Sequence, residues 1–133
     1  MGRRLILDTA IFIGFERGDY DRAQFDNDEL STAAVCLAEF RLGAQLADSA
    51  ERRAARLAAL SEIQLGLEVL AYTETTAQIH GELLAHARKS GRPRGPHDLI
   101  IAAHAVQTNR IVVSWDAKAR FGDLPNVRAI MPD

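Results

Sequence analysis

The chain reads as an α/β fold built on a parallel sheet of four to five strands, and three features of the sequence predict it. Short apolar runs, Leu5–Leu7 and Ile111–Ser114, are the length of strands buried on both faces. Longer segments of helical period lie between them. Both runs stop near a carboxylate, Asp8 after the first and Asp116 after the second. Strands alternating with helices imply a parallel sheet covered on both faces, joined by right-handed crossovers. In such sheets ligands bind beyond the carboxyl ends of the strands.

From the amino end, Asp8-Thr9 is a helix-start signal with Thr9 as N-cap. A short helix from Ile11 to Phe15 ends near Gly14 or Gly18. Asp19 to Glu29 is acidic and irregular, a solvated surface segment. Leu30 to Ala33 makes a brief strand, and Ser31 or Thr32 caps a helix running to about Ala47. In that helix Val35, Glu39, Leu42 and Leu46 fall at i, i+4, i+7 and i+11, on one face. Glu39 is therefore a carboxylate set into an apolar stripe. Such a group needs a cation, a hydrogen-bonding site or nearby solvent. Arg41 does not face it from two residues away, which leaves Arg3 or another base as the plain alternative to a site role.

Glu51 to Gln64 forms an amphipathic helix with Arg52, Arg53 and Arg56 on its solvated side, closed by Gly66. Leu67 to Tyr72 alternates as a strand. Thr73 or Thr75 opens a long helix from Thr76 to about Lys89, on which His80 and His86 share no face for a metal. The stretch Arg88–Pro96 holds two glycines and two prolines and is a loop. Arg88, Lys89, Arg92 and Arg94 make it the densest basic patch of the chain. His97 to Val106 is apolar almost all round, a helix buried in the body of the fold. Asp98 stands in its first turn, where an N-cap role competes with a site role. A short helix from Ala117 to Phe121 and a strand from Asn126 to Ile130 complete the chain.

At 133 residues the chain is the size of one domain, residues 1–133, and long enough to bury a core without disulfide or structural metal. A net charge of −2 argues against generalised attachment to nucleic acid, so any such contact must come from a local patch. The single Cys36 excludes an internal disulfide and a cysteine-based zinc cluster, and reads as core filler. Arg3-Arg4 before an apolar stretch imitates a secretory signal, but Asp8 interrupts it and no small-residue cleavage pattern follows. No apolar run approaches the ~20 residues of a membrane span. The expectation is a cytoplasmic protein.

On this layout Asp8 and Asp116 share one rim of the sheet, Asp98 heads a helix entering from that rim, and Glu39 points inward from another. Two carboxylates ~4 Å apart repel by about 4 kcal/mol at an intermediate dielectric. Convergence therefore demands either shared protons with raised pKa values or a divalent cation. Oxygen-only donors suit Mg²⁺ or Mn²⁺, not zinc. Other chemistries are poorly supplied. There is no phosphate-binding GxxxxGK[ST] loop and no GxSxG elbow. His97 and His104 are seven apart, and Ala10 stands where a haloacid-dehalogenase-like phosphatase carries its second aspartate. What remains is metal-assisted phosphoryl chemistry, with the basic loop holding phosphates. A non-catalytic protein that grips a partner's basic side chains with the acidic pocket, and a metal-dependent DNA nuclease, are the competing readings.

Leu7-Asp8-Thr9, Glu39 within Ala38–Gly43, the string Gly95-Pro96-His97-Asp98-Leu99-Ile100-Ile101-Ala102-Ala103-His104-Ala105, and Ser114-Trp115-Asp116 through Phe121 together resemble a PIN-domain ribonuclease. The likeness is greatest to the VapC-type toxins of bacterial toxin–antitoxin pairs and covers nearly the whole chain in order. One departure is Ser114, where the family more often has Thr; the hydroxyl survives. The resemblance implies an α/β/α sandwich with Asp8, Glu39, Asp98 and Asp116 around one or two Mg²⁺ or Mn²⁺ ions, Asp8 and Asp98 binding most directly. Thr9 and Ser114 would orient the acids. It also implies RNA as substrate, cleaved by a metal-activated water, a homodimer, and inhibition by a small VapB-like antitoxin covering the acidic pocket.

Overall fold

The computed structural model describes residues 2–92, 94–115 and 119–133. Asp116 and the first residues of the helix expected from Ala117 lie outside that set. Five parallel strands form one sheet: β1 (Arg4–Leu7), β2 (Glu29–Ala33), β3 (Glu68–Leu70), β4 (Ile111–Val113) and β5 (Ala129–Ile130). Their spatial order is β3-β2-β1-β4-β5. The helices are α1 (Thr9–Arg17), α2 (Ala34–Gln45), α3 (Ala50–Leu65), α4 (Glu74–Ser90) and α5 (Pro96–Thr108).

The order follows from the crossovers. The steps β1 to β2 to β3 march one way across the sheet, so right-handed connections put α1, α2 and α3 on one face. The return from β3 to β4 passes the other face with α4 and α5. The packing agrees: α1 lies against α2 and α3, and α4 against α5. β1 sits at the centre, and its Leu5 and Ile6 are wholly buried. That burial is why this run is apolar without alternation. Because β2 and β4 flank β1 on opposite sides, the strand order reverses between β1 and β4. The crevice at such a reversal, beyond the strands' carboxyl ends, is where ligands bind in open α/β sheets.

Several local expectations shift. Asp8, not Thr9, is the N-cap of α1, and its carboxylate makes no capping bond. Ser31 and Thr32 cap nothing. They lie in β2, and their hydroxyls donate to the carbonyls of Leu5 and Leu7 at 2.8 Å, stitching the β1–β2 seam; Ala33 precedes α2 instead. The buried face of α2 is Cys36, Phe40 and Ala44, one residue out of phase with the expected stripe, and Leu42 and Leu46 are 59% and 74% exposed. The phase slips because α2 packs between β2, α1 and α3, and those neighbours choose the Cys36–Phe40 side. The start of α4 behaves as its sequence suggests, with Thr73 and Thr76 forming a reciprocal capping box. No helix among the described residues is long and apolar enough to cross a membrane.

Candidate metal centre and active site

Asp8 leaves the carboxyl end of the central strand, and Ser114 leaves that of β4 beside it. The Asp8 amide donates to the Val113 carbonyl at 3.2 Å, so the backbone itself clamps the two strand exits together. Across this junction the Ser114 hydroxyl donates to Asp8 Oδ2. Asp8 is 5% exposed, and among the described residues its Oδ1 has no hydrogen-bond partner. Burial pushes the Asp8 carboxyl up to about 6. The Ser114 hydroxyl and the amides of Ala10 and Ile11 pull it down, and the charge of Asp98 pushes it up again. A buried carboxylate with one oxygen left over is what an electropositive ligand would satisfy.

Asp98 comes to the same place from the other face of the sheet. Helix α5 opens with Gly95 at the N-cap and Pro96 as its first residue, so Asp98 sits in the first turn without being the cap. An ionised side chain there is favoured by the helix macrodipole. Gly95 leaves room for that carboxylate: a Cβ at that position would stand 2.8 Å from Asp98 Oδ2 and push it aside. The missing side chain lets the carboxylate lie against the loop.

Glu39 enters from α2. Its Oε1 accepts from the Thr9 hydroxyl at 3.3 Å and lies 3.3 Å from His97 Nδ1. Thr9 therefore orients one acid and Ser114 another. Glu39 lies beside the buried Cys36–Phe40 face of α2, not on a buried stripe with Leu42 and Leu46, and remains half-buried. His97 is the residue that sequence reasoning missed. Its seven-residue spacing from His104 gives no metal pair, and its adjacency to Asp98 is the signal that the sequence carries. Cys36 lies beneath this cluster, fully buried, and burial pushes its thiol up to about 11. It is core filler, as its setting suggested.

Asp116 lies outside the described residues. Among the described residues no three carboxylate, imidazole or thiol groups close into a metal cage. The donor set nevertheless fits a hard divalent cation. Mg²⁺ keeps several of its waters and is held through one or two carboxylates, and Asp8 with its unpartnered Oδ1, facing the charge of Asp98, supplies such a pair.

The basic loop divides in two. Arg94 is half-buried and donates through one guanidinium nitrogen to the carbonyls of Ala119 and Arg120, the latter at 2.8 Å. Arg92 pairs with Asp123 at 3.4 Å. Arg88 and Lys89 lie exposed in the last turn of α4, where cations suit the carboxyl end of a helix. Part of the patch thus ties the loop to the segment that follows β4.

Comparison with known proteins agrees with this geometry. The family model for the PIN domain matches residues 5–124. Ribonuclease VapC5 of Mycobacterium tuberculosis is 34% identical over 111 residues, covering 84% of this chain and 82% of that protein. The tRNA(fMet)-specific endonuclease VapC of Salmonella typhimurium is 32% identical over 126 residues, covering 90% and 89%. The fold superposes on the crystal structure of DNA-bound VapBC from Salmonella typhimurium with a TM-score of 0.84, at 27% identity and 98% coverage of both chains. A parallel sheet with its acids at the β1–β4 junction, matched along nearly its whole length, assigns the chain: it belongs to the PIN-domain family, among the VapC ribonucleases.

Proposed function

We propose that the chain is a Mg²⁺-dependent endoribonuclease, with Mn²⁺ able to substitute, acting as the toxin of a toxin–antitoxin pair in the cytoplasm. The single observation that carries the chemistry is Asp8: buried, bonded to Ser114 through one oxygen, and unpartnered at the other among the described residues. Asp8 and Asp98 would hold the cation, with Glu39 and Asp116 completing the acidic set. A cation held there would polarise a phosphodiester and activate water.

The chain's own residues do the positioning. Ser114 fixes the Asp8 carboxylate, and Thr9 and His97 fix that of Glu39 from two sides. No side chain of the cluster is placed as a covalent nucleophile, since the only thiol nearby is buried and protonated. Arg88, Lys89, Arg92 and Arg94 would offer positive charge to the RNA backbone, Arg94 largely by shaping the loop.

The partners proposed are a VapB-like antitoxin and a second copy of the chain. A groove lined by Thr9, Ile13, Glu39, Phe40, Gly43 and Arg56 takes in one of the acids, and Leu42 of α2 and Leu46 just after it are exposed. That surface supports an inhibitory chain which reaches the acidic pocket. RNA is favoured over DNA by the ribonuclease names of the relatives.

The test is cleavage of parallel single-stranded RNA and DNA substrates in Mg²⁺, in excess EDTA, and by the Asp8→Asn chain. RNA cut only by the wild type with metal supports the reading. Cutting that survives EDTA or Asp8→Asn overturns it, and a preference for DNA replaces the substrate.

A further inference from the structure

Beyond the acids, on the β5 side of β4, lies a cavity of about 220 Å³ walled by Ser114, Trp115, Arg120, Phe121, Ile130 and Met131. It adjoins the metal centre directly. Ser114, whose hydroxyl is bonded to Asp8, forms one wall, and its amide donates to the Ile130 carbonyl at 3.1 Å. Three features of this cavity play no part in holding carboxylates.

The first is Trp115, the only tryptophan of the chain. Its ring is held in place. It packs edge-on against Tyr20 with centroids 5.5 Å apart and lies so close to Gly14 that a Cβ there would stand 2.3 Å from it. Tyr20 is itself tethered by its hydroxyl to the Ile11 carbonyl at 3.3 Å and by an edge contact with Phe25. An aromatic face immobilised in advance loses little entropy when another ring settles on it.

The second feature is charge. Arg120 is exposed, forms no ion pair among the described residues, and has its carbonyl gripped by Arg94. With Arg92 close by on Asp123, it places positive charge at the edge of an apolar cavity. The third is the walls: Phe121 is buried, Ile130 is half-buried, and Met131 is 66% exposed at the mouth. An aromatic platform, apolar walls and a cationic edge are the combination that binds a base together with its phosphate in single-stranded nucleic acid.

We propose that this cavity is a nucleobase subsite, in which Trp115 stacks a base of the RNA flanking the scissile phosphate while Arg120 meets the neighbouring backbone. The occupant is an unpaired base, because a paired one does not present its face. The proposal rests on the nuclease reading above and assigns to this subsite part of the choice of cleavage position.

The lone tryptophan makes the test direct. The Asp8→Asn chain is titrated with single-stranded hexa-adenylate, with an abasic oligomer of equal charge as comparison, while tryptophan emission is followed. Saturable quenching by the hexa-adenylate but not by the abasic oligomer is the expected result. Absence of quenching, or equal quenching by both, overturns the proposal. In cleavage assays Trp115→Ala raises KM for single-stranded RNA roughly 5- to 100-fold, and Trp115→Phe restores most of it. Thermal unfolding of both variants separates this from loss of fold. Unchanged KM in a folded Trp115→Ala chain also overturns it. Quenching without cleavage by the wild type would sink the nuclease reading alone; cleavage without quenching would sink the subsite alone.

Discussion

The two edges of the sheet handle charge in opposite ways. At the amino edge Arg3, Arg4 and Arg110 each meet a carboxylate. Arg3 forks onto Asp28 at 2.7 and 3.2 Å, and Arg4 meets Glu29 at 3.2 Å. Arg110, just before β4 and buried, lies 3.1 Å from Glu68 and 3.8 Å from Glu29, the first residues of β3 and β2. At the carboxyl edge, Asp8 is held by a hydroxyl, Glu39 by a hydroxyl and an imidazole, and neither meets a Lys or Arg among the described residues. Paired charges tie the strands together at one edge, whereas at the other those two acids meet hydroxyls and an imidazole and no Lys or Arg among the described residues. The difference separates what stabilises this molecule from what it works with.

The largest expected effect breaks the carboxyl edge. Asp8→Asn lowers RNA cleavage by more than about 100-fold, since even an outer hydrogen-bond partner of a metal ligand commonly accounts for 10- to 100-fold. Circular dichroism of the same variant should show an intact fold. Activity within a few-fold of wild type would contradict the assignment.

The edges also carry opposite pH signatures in the metal-free chain. Asp8 has its carboxyl raised to about 6 from an ordinary 3.8. Its contribution to stability is fully present below the ordinary value and is lost as pH rises through about 6, a loss of about 3 kcal/mol by neutral pH. Asp28 is held below the usual range, by the hydrogen bond from Arg3 above all. Its contribution is present above the ordinary value and disappears as pH falls through the lowered one. Unfolding midpoints measured from pH 3 to 8 in EDTA should therefore decline above pH 4 in wild type and flatten in Asp8→Asn. A parallel decline in both chains would count against Asp8 as its source.

Breaking the amino edge should do the converse. Arg110→Ala removes a buried guanidinium and is expected to destabilise by about 1–3 kcal/mol in urea unfolding. Mn²⁺ affinity at the far edge should stay within two-fold. A matching loss of metal affinity would show that the two edges are coupled. The smallest effect sharpens the carboxyl edge: His97→Ala frees one side of Glu39 and should weaken Mn²⁺ binding by about ten-fold, with His97→Gln recovering part of it.

The central strand and the acids at its exit were legible because burial on both faces leaves a run with no polar residue until the chain emerges at Asp8. Asp98 was legible for a similar reason, standing at the head of a helix apolar all round. What escaped was phase and partnership. The stripe through Leu42 and Leu46 has a sound period, but period alone does not say which of two adjacent faces meets the sheet, and tertiary neighbours chose the Cys36 side. Ser31 and Thr32 looked like caps because hydroxyls before a helix usually are; here the β1 carbonyls claimed them first. His97 and Trp115 gave no periodic signal, since their roles depend on residues from other elements.

The most direct test is calorimetric titration of Mn²⁺ into the metal-free chain, its Asp8→Asn and Asp98→Asn variants, and Arg3→Ala as a control from the paired edge. The expected result is saturable binding, displaced by excess Mg²⁺, that persists in Arg3→Ala and vanishes in both aspartate variants. Wild-type affinity in either aspartate variant would contradict a shared cation at the β1–β4 junction.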